Sequence, residues 1–135
     1  MNGLGLIAAI TAFFSIWMGH VAVRKIEFAS PTIGLPKMIC IALGIALEYF
    51  SLITVNRSLS TVFGIVGITI LFDAFELARQ QKRIIKGHAP ANPNNPRHAK
   101  ILAEHKSATT LDLLKREPIG RSVSADEAAQ LITNH

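Results

Sequence analysis

Three long apolar runs constrain this chain more than any other feature of its sequence. They extend from Gly3 to Val23, from Met38 to Val55 and from Ser60 to Ala78. Each is close to the ~20 apolar residues that an α-helix needs to cross a ~30 Å hydrocarbon core. Only helices and closed barrels satisfy their own backbone hydrogen bonds in lipid. The sequence therefore predicts an all-α protein with three transmembrane helices.

The basic residues are separated from these runs, and their distribution predicts the orientation. Of the 14 Lys and Arg residues, ten lie at or beyond Arg79, and none precedes Arg24. The first connection, Arg24 to Lys37, holds three, whereas the next turn holds only Arg57. Because cytoplasmic segments are enriched in Lys and Arg, we expect the N-terminus outside and the C-terminus in the cytoplasm. The first residues carry no cations or cleavage site typical of a removed signal peptide.

The chain divides into a three-helix transmembrane region, residues 1–79, and a basic cytoplasmic tail, residues 80–135. The tail starts with a loop rich in Asn and Pro, followed by Asn95-Pro96, which is typical of an N-cap and the first residue of a helix. Further short helices are predicted from Thr109 or Thr110 to Lys115 and after Ser124, where a capping-box pattern begins. Short helices are marginal alone in water, so we expect the tail to be either loosely ordered or packed against another surface.

Small residues recur along the first run at spacings of three and four. Such a stripe allows two membrane helices to approach closely, so it predicts a helix-packing face. Chance enrichment of small residues in a membrane helix is the alternative. The stripe consists of Gly5, Ala8, Ala12, Ser15 and Gly19.

Four polar residues in or beside the membrane are the candidates for a function: His20, Glu48, Asp73 and Glu76. An ionised acid near the bilayer centre costs ~2.5–3.5 kcal/mol on insertion scales, so such residues normally face protein or water. They are expected either to pair structurally, as in a His20–Glu76 contact, or to contact a partner subunit. A third alternative is a proton or ion path, because the four could form a line from the cytoplasm to mid-membrane.

A run of cations follows the third apolar run directly. We expect it to form a collar against anionic lipid headgroups. It consists of Arg79, Lys82, Arg83 and Lys86.

Several classes of function are not supported by the sequence. The formal net charge is +5, but the sequence contains no recognisable nucleic-acid-binding module. The single Cys40 leaves no disulfide framework or cysteine-rich metal site, and His98 and His105 are seven residues apart, whereas metal pairs on a helix are three or four apart. No nucleophile arrangement or cofactor motif appears, so we expect neither an enzyme nor a bound cofactor.

One stretch resembles a known family. The pattern E-L-x-x-Q-x-x-R-I-x-K-G-x-x-P-x-N-P, residues 76–93, is similar to the signature of a family of small bacterial membrane proteins, domain of unknown function four-four-nine-one (DUF4491). Gly19-His20 and the segment from Val23 to Glu27 also resemble that family, and the similarity covers about residues 1–97. It implies a membrane protein of three or four spans in the cytoplasmic membrane of a bacterium or archaeon, without a known activity. The chain differs from the family's usual pattern at His88-Ala89, where aromatic residues are common, and in its longer tail.

Together these features predict a non-catalytic membrane protein that is an accessory or assembly subunit of a larger complex. Its expected partners are membrane lipids and other subunits, with the tail docked on a cytoplasmic surface. The alternative is a small oligomeric transporter or proton-conducting protein that uses the intramembrane acids.

Overall fold

The computed structural model describes residues 3–112 of the chain. This part contains four helices and no strand: α1 (Leu4–Ala29), α2 (Gly34–Ile53), α3 (Arg57–Ile85) and α4 (Pro96–Glu104). The first three are long and apolar enough to cross a membrane. The predicted all-α fold with three potential membrane spans is therefore confirmed. The predicted helix after Ser124 lies outside the described residues.

The connection between the first two spans is much shorter than predicted. α1 continues through the charged residues to Ala29, and α2 begins at Gly34. The charged residues do not end α1. The helix ends because Ser30 precedes Pro31 and takes the extended conformation that a following proline favours. Pro36, inside the predicted connection, lies in the first turn of α2, where a missing N–H costs no hydrogen bond.

α3 also extends beyond its apolar run, so the division at residue 79 falls inside this helix. The Asn56 side chain caps its start by accepting hydrogen bonds from the Ser58 and Leu59 amides, at 3.0 and 3.2 Å. At its end Gly87 has a φ of +73°. The amides of Gly87 and His88 donate to the carbonyls of Ile84 and Arg83, the two hydrogen bonds of a Schellman motif.

α3 packs against both α1 and α2 and is the central helix of the bundle. On the α2 side, Ser51 and Ser60 each donate from the hydroxyl to the other's carbonyl, at 2.9 and 2.8 Å. On the α1 side, the hydroxyls of Ser15 and Thr69 lie 3.4 Å apart. Gly19 lies against Asp73, four residues further along each helix, so α1 and α3 run parallel and end on the same side of the bundle.

The stripe of small residues on α1 is a packing face only in part. A Cβ built on Gly5 meets nothing within 4 Å, whereas Gly19 is buried against α3. Val23 and Glu27, at the same spacing of four, are buried as well. The contact thus extends toward the end of α1 that carries the charges.

The first part of the tail folds back on the chain's own helices. The buried side chains of Ile84, Ala89, Ala91 and Ile101 form one apolar cluster. Asn95 caps α4 as predicted, and Pro96 is its first residue. Residues 109–112 are not helical, so the helix predicted to start at Thr109 or Thr110 is absent from the described residues.

Candidate functional site

A buried polar network connects the tail to the end of α1. At its centre lies Glu27, whose side chain is only 1% exposed. Arg97 donates from Nη1 to the Glu27 carboxylate at 2.7 Å and from Nη2 to the Glu27 carbonyl at 2.6 Å. The Nε2 atom of His98 lies 3.1 Å from the same carboxylate oxygen. A buried carboxylate is stable only when it is paired and hydrogen-bonded, and the tail supplies both partners.

The hydrogen bonds of His98 assign its tautomer. The Asn92 amide donates to Nδ1 of His98 at 2.8 Å, so Nδ1 carries no proton. Nε2 must then hold the proton and donate it to Glu27. The His98 side chain has no exposed surface, so both of its nitrogens are used for structure.

Two asparagines bind the carbonyls at the end of α1. Nδ2 of Asn95 donates to the carbonyls of Phe28 and Ser30, at 3.1 and 2.9 Å, and Asn92 donates to Phe28 at 3.2 Å. The last carbonyls of a helix have no partner within the helix. We refer to Glu27, Asn92, Asn95, Arg97 and His98 together as the α1 cap.

The α1 cap was not predicted as a site from the sequence. Asn95 was predicted only as the cap of α4, and His98 was considered only as a possible metal ligand. One signal was present, since Glu27 continues the spacing of four from Gly19 and Val23. Its partners lie about 70 residues further along the chain, and no local pattern indicates such a contact.

Two of the predicted site residues, Glu48 and Asp73, lie against glycines of neighbouring helices. A Cβ added to Gly19 would be 2.8 Å from Oδ2 of Asp73, and one added to Gly67 would be 2.8 Å from Oε1 of Glu48. Both acids are half-buried. Within residues 3–112 no group donates a hydrogen bond to either carboxylate.

The four predicted polar residues do not form one line. Glu48 lies between α2 and α3, whereas Asp73 lies between α3 and α1. Asp73 is six residues beyond Gly67, about 9 Å along α3. His20 is exposed and interacts electrostatically with Asp73, whereas Glu76 pairs with basic residues of its own helix.

That pairing involves the predicted collar. Nη1 of Arg79 lies 2.8 Å from the buried Glu76 carboxylate, and Nη2 of Arg83 lies 3.7 Å from it. Lys82 and Lys86 are exposed. The collar therefore neutralises one acid of the chain, and its contact with lipid headgroups stays a prediction.

Comparison with known proteins supports the resemblance found in the sequence. The model of the family described as "Domain of unknown function (DUF4491)" matches residues 2–95. No curated protein and no solved structure matches the chain. The matched segment includes all three long helices and much of the tail segment that packs on α1. The chain therefore belongs to the DUF4491 family of proteins.

Proposed function

We propose that this chain is a non-catalytic accessory or assembly subunit of a larger membrane complex. The proposal rests on the surroundings of Glu48 and Asp73. Both lie in helices able to span a membrane, are half-buried and receive no hydrogen bond within residues 3–112. An acid in lipid that accepts no hydrogen bond costs roughly several kcal/mol, and for Asp73 the attraction to His20 offsets only part of that cost. Donors on the helices of another subunit would remove that cost.

The part of the tail that packs on the bundle supports the same proposal. The α1 cap holds α4 at a defined place at the end of the bundle. The exposed side of α4 carries Lys100 and Glu104, whose side chains are 73% and 55% exposed. A fixed, charged helix on the predicted cytoplasmic side is a suitable surface for a soluble region of a partner subunit.

The alternative is a small oligomeric protein that conducts protons or cations through Glu48 and Asp73. Intramembrane acids often mark such paths. In one copy, however, the two carboxylates lie in different helix interfaces, about 9 Å apart along α3. A path would need further groups from other copies, so we favour the subunit.

The substitutions Glu48→Gln and Asp73→Asn distinguish the two functions. They keep the shape of each side chain and remove its charge. The subunit proposal predicts that the variants lose the larger native assembly in mild detergent while the chain keeps its helix content. An unchanged assembly combined with lost proton flux in liposomes would support the alternative. Arg57→Gln, at an exposed position at the start of α3, also removes a charge but lies outside both proposed contact surfaces; it is the control and should change neither.

A further inference from the structure

A cavity of about 650 Å³ lies beside the α1 cap, where α1 and α3 end. This volume is within the range of ~300–1,000 Å³ that is usual for small-molecule sites. One wall is a single stripe along one face of α1. It is formed by residues that are three or four positions apart and therefore lie side by side on the helix: Val21, Arg24, Lys25 and Phe28. This stripe exists only because α1 continues past its apolar run.

The other walls come from α3 and from the loop that follows it. Gln80 and Arg83, one turn apart on α3, face the α1 stripe, and residues 88–90 close the third side. The lining thus combines apolar surface, from Val21, Phe28 and the loop, with hydrogen-bond donors on the side chains of α1 and α3. Such a mixture of apolar walls and a few polar groups is typical of ligand pockets.

The charges of the cavity favour an anion. Arg24 and Lys25 have no carboxylate partner within residues 3–112, and Arg83 lies 3.7 Å from Glu76 at the nearest. Of the acids in the lining, Glu27 is already neutralised by Arg97 at 2.7 Å. Asp112 is the other acid of the lining, so three cations face the cavity together with one further acid.

From this arrangement we infer that the cavity binds a phosphate group. Arg24, Lys25 and Arg83 would provide the charge-assisted hydrogen bonds, and a guanidinium matches phosphate in a two-pronged geometry. The predicted topology puts the cavity at the cytoplasmic surface of the membrane, where the phosphates of anionic lipids lie. Val21 and Phe28 would contact the glycerol and the first part of the acyl chains.

The test uses the full-length protein in detergent after its lipids have been exchanged. Native mass spectrometry would measure retention of added phosphatidylglycerol, with phosphatidylcholine as the zwitterionic comparison. The wild type is compared with the double variant Arg24→Gln/Lys25→Gln and with Arg83→Gln. The matched control is Lys82→Gln, because Lys82 belongs to the same basic collar but does not line the cavity. Circular dichroism checks that each variant keeps its helices.

The inference predicts selective retention of the anionic lipid, weakened about tenfold or more in the double variant and unchanged in Lys82→Gln. A smaller loss is expected for Arg83→Gln, since Arg83 also lies 3.7 Å from the Glu76 carboxylate, which takes up part of its charge. If inorganic phosphate displaces the lipid at millimolar concentration, the site takes a free phosphate compound rather than a lipid. The inference would be overturned if Lys82→Gln lost as much phosphatidylglycerol as the double variant, or if the wild type retained none.

Discussion

The Nε2 atom of His98 lies 3.1 Å from the carboxylate of Glu27, and neither side chain is more than 1% exposed. The two residues are 71 positions apart in the sequence. Their contact, together with the Arg97–Glu27 pair, makes the start of the tail part of the helical bundle. An acid near the end of α1 thus has structural partners in the tail.

Substitution of Glu27 should release α4 from the end of α1. In Glu27→Gln the charge of Arg97, only 14% exposed, loses its counter-charge. Breaking a buried pair in this way costs about 3 kcal/mol, so hydrogen exchange of residues 88–104 should become about a hundredfold faster. Exchange in the middle of α3 should stay unchanged.

The control is Glu104→Gln, which removes an exposed pair with Lys100. Exposed pairs contribute less than ~1 kcal/mol, so its exchange rates should stay near those of the wild type. Equal exchange in the two variants would show that the α1 cap does not hold the tail.

The two nitrogens of His98 can be tested separately. In His98→Asn the side chain can still accept a hydrogen bond from the Asn92 amide, but it is too short to donate one to Glu27. In His98→Gln the side chain can reach Glu27, but it no longer offers an acceptor to the Asn92 amide. Each loss should cost about 1–2 kcal/mol, measured by hydrogen exchange of α4. In a Glu27→Ala background the cost of His98→Asn should nearly disappear, because its missing partner is already gone. Additive costs would contradict the assigned hydrogen bond.

Gly67 is a position where α2 and α3 approach too closely for a side chain. A Cβ there would lie 2.8 Å from Oε1 of Glu48 and 3.2 Å from its backbone nitrogen. Because the backbone cannot move away easily, Gly67→Ala should destabilise the bundle by about 1–3 kcal/mol. Thermal unfolding in detergent would measure this. Gly5→Ala, where the new Cβ meets nothing within 4 Å, should leave the midpoint unchanged or raise it slightly.

The predicted orientation can be tested by labelling single cysteines in intact cells, in a Cys40→Ala background. A membrane-impermeant maleimide should label Asn56→Cys, in the turn between α2 and α3. Thr32→Cys and Lys106→Cys should react only after the membrane has been permeabilised. The reverse pattern would place the N-terminus in the cytoplasm and, with it, the cavity on the other side.

The sequence predicted the three spans and the cap of α4. Length and hydropathy indicate which segments can cross a membrane, and Asn95-Pro96 is a local signal. The ends of α1 and α3 were predicted too early, since charged residues stop membrane insertion but continue a helix until Pro31 or Gly87. The α1 cap depends on contacts between residues far apart in the chain, and the position of Glu48 on Gly67 depends on the relative rotation of two helices.

The most direct test of the proposed function is the native mass of the untagged chain after extraction in mild detergent. The proposal predicts that it migrates with larger membrane proteins in fixed stoichiometry and that Asp73→Asn releases it from them. Migration alone or as an assembly of identical copies would contradict the subunit and favour the conducting oligomer.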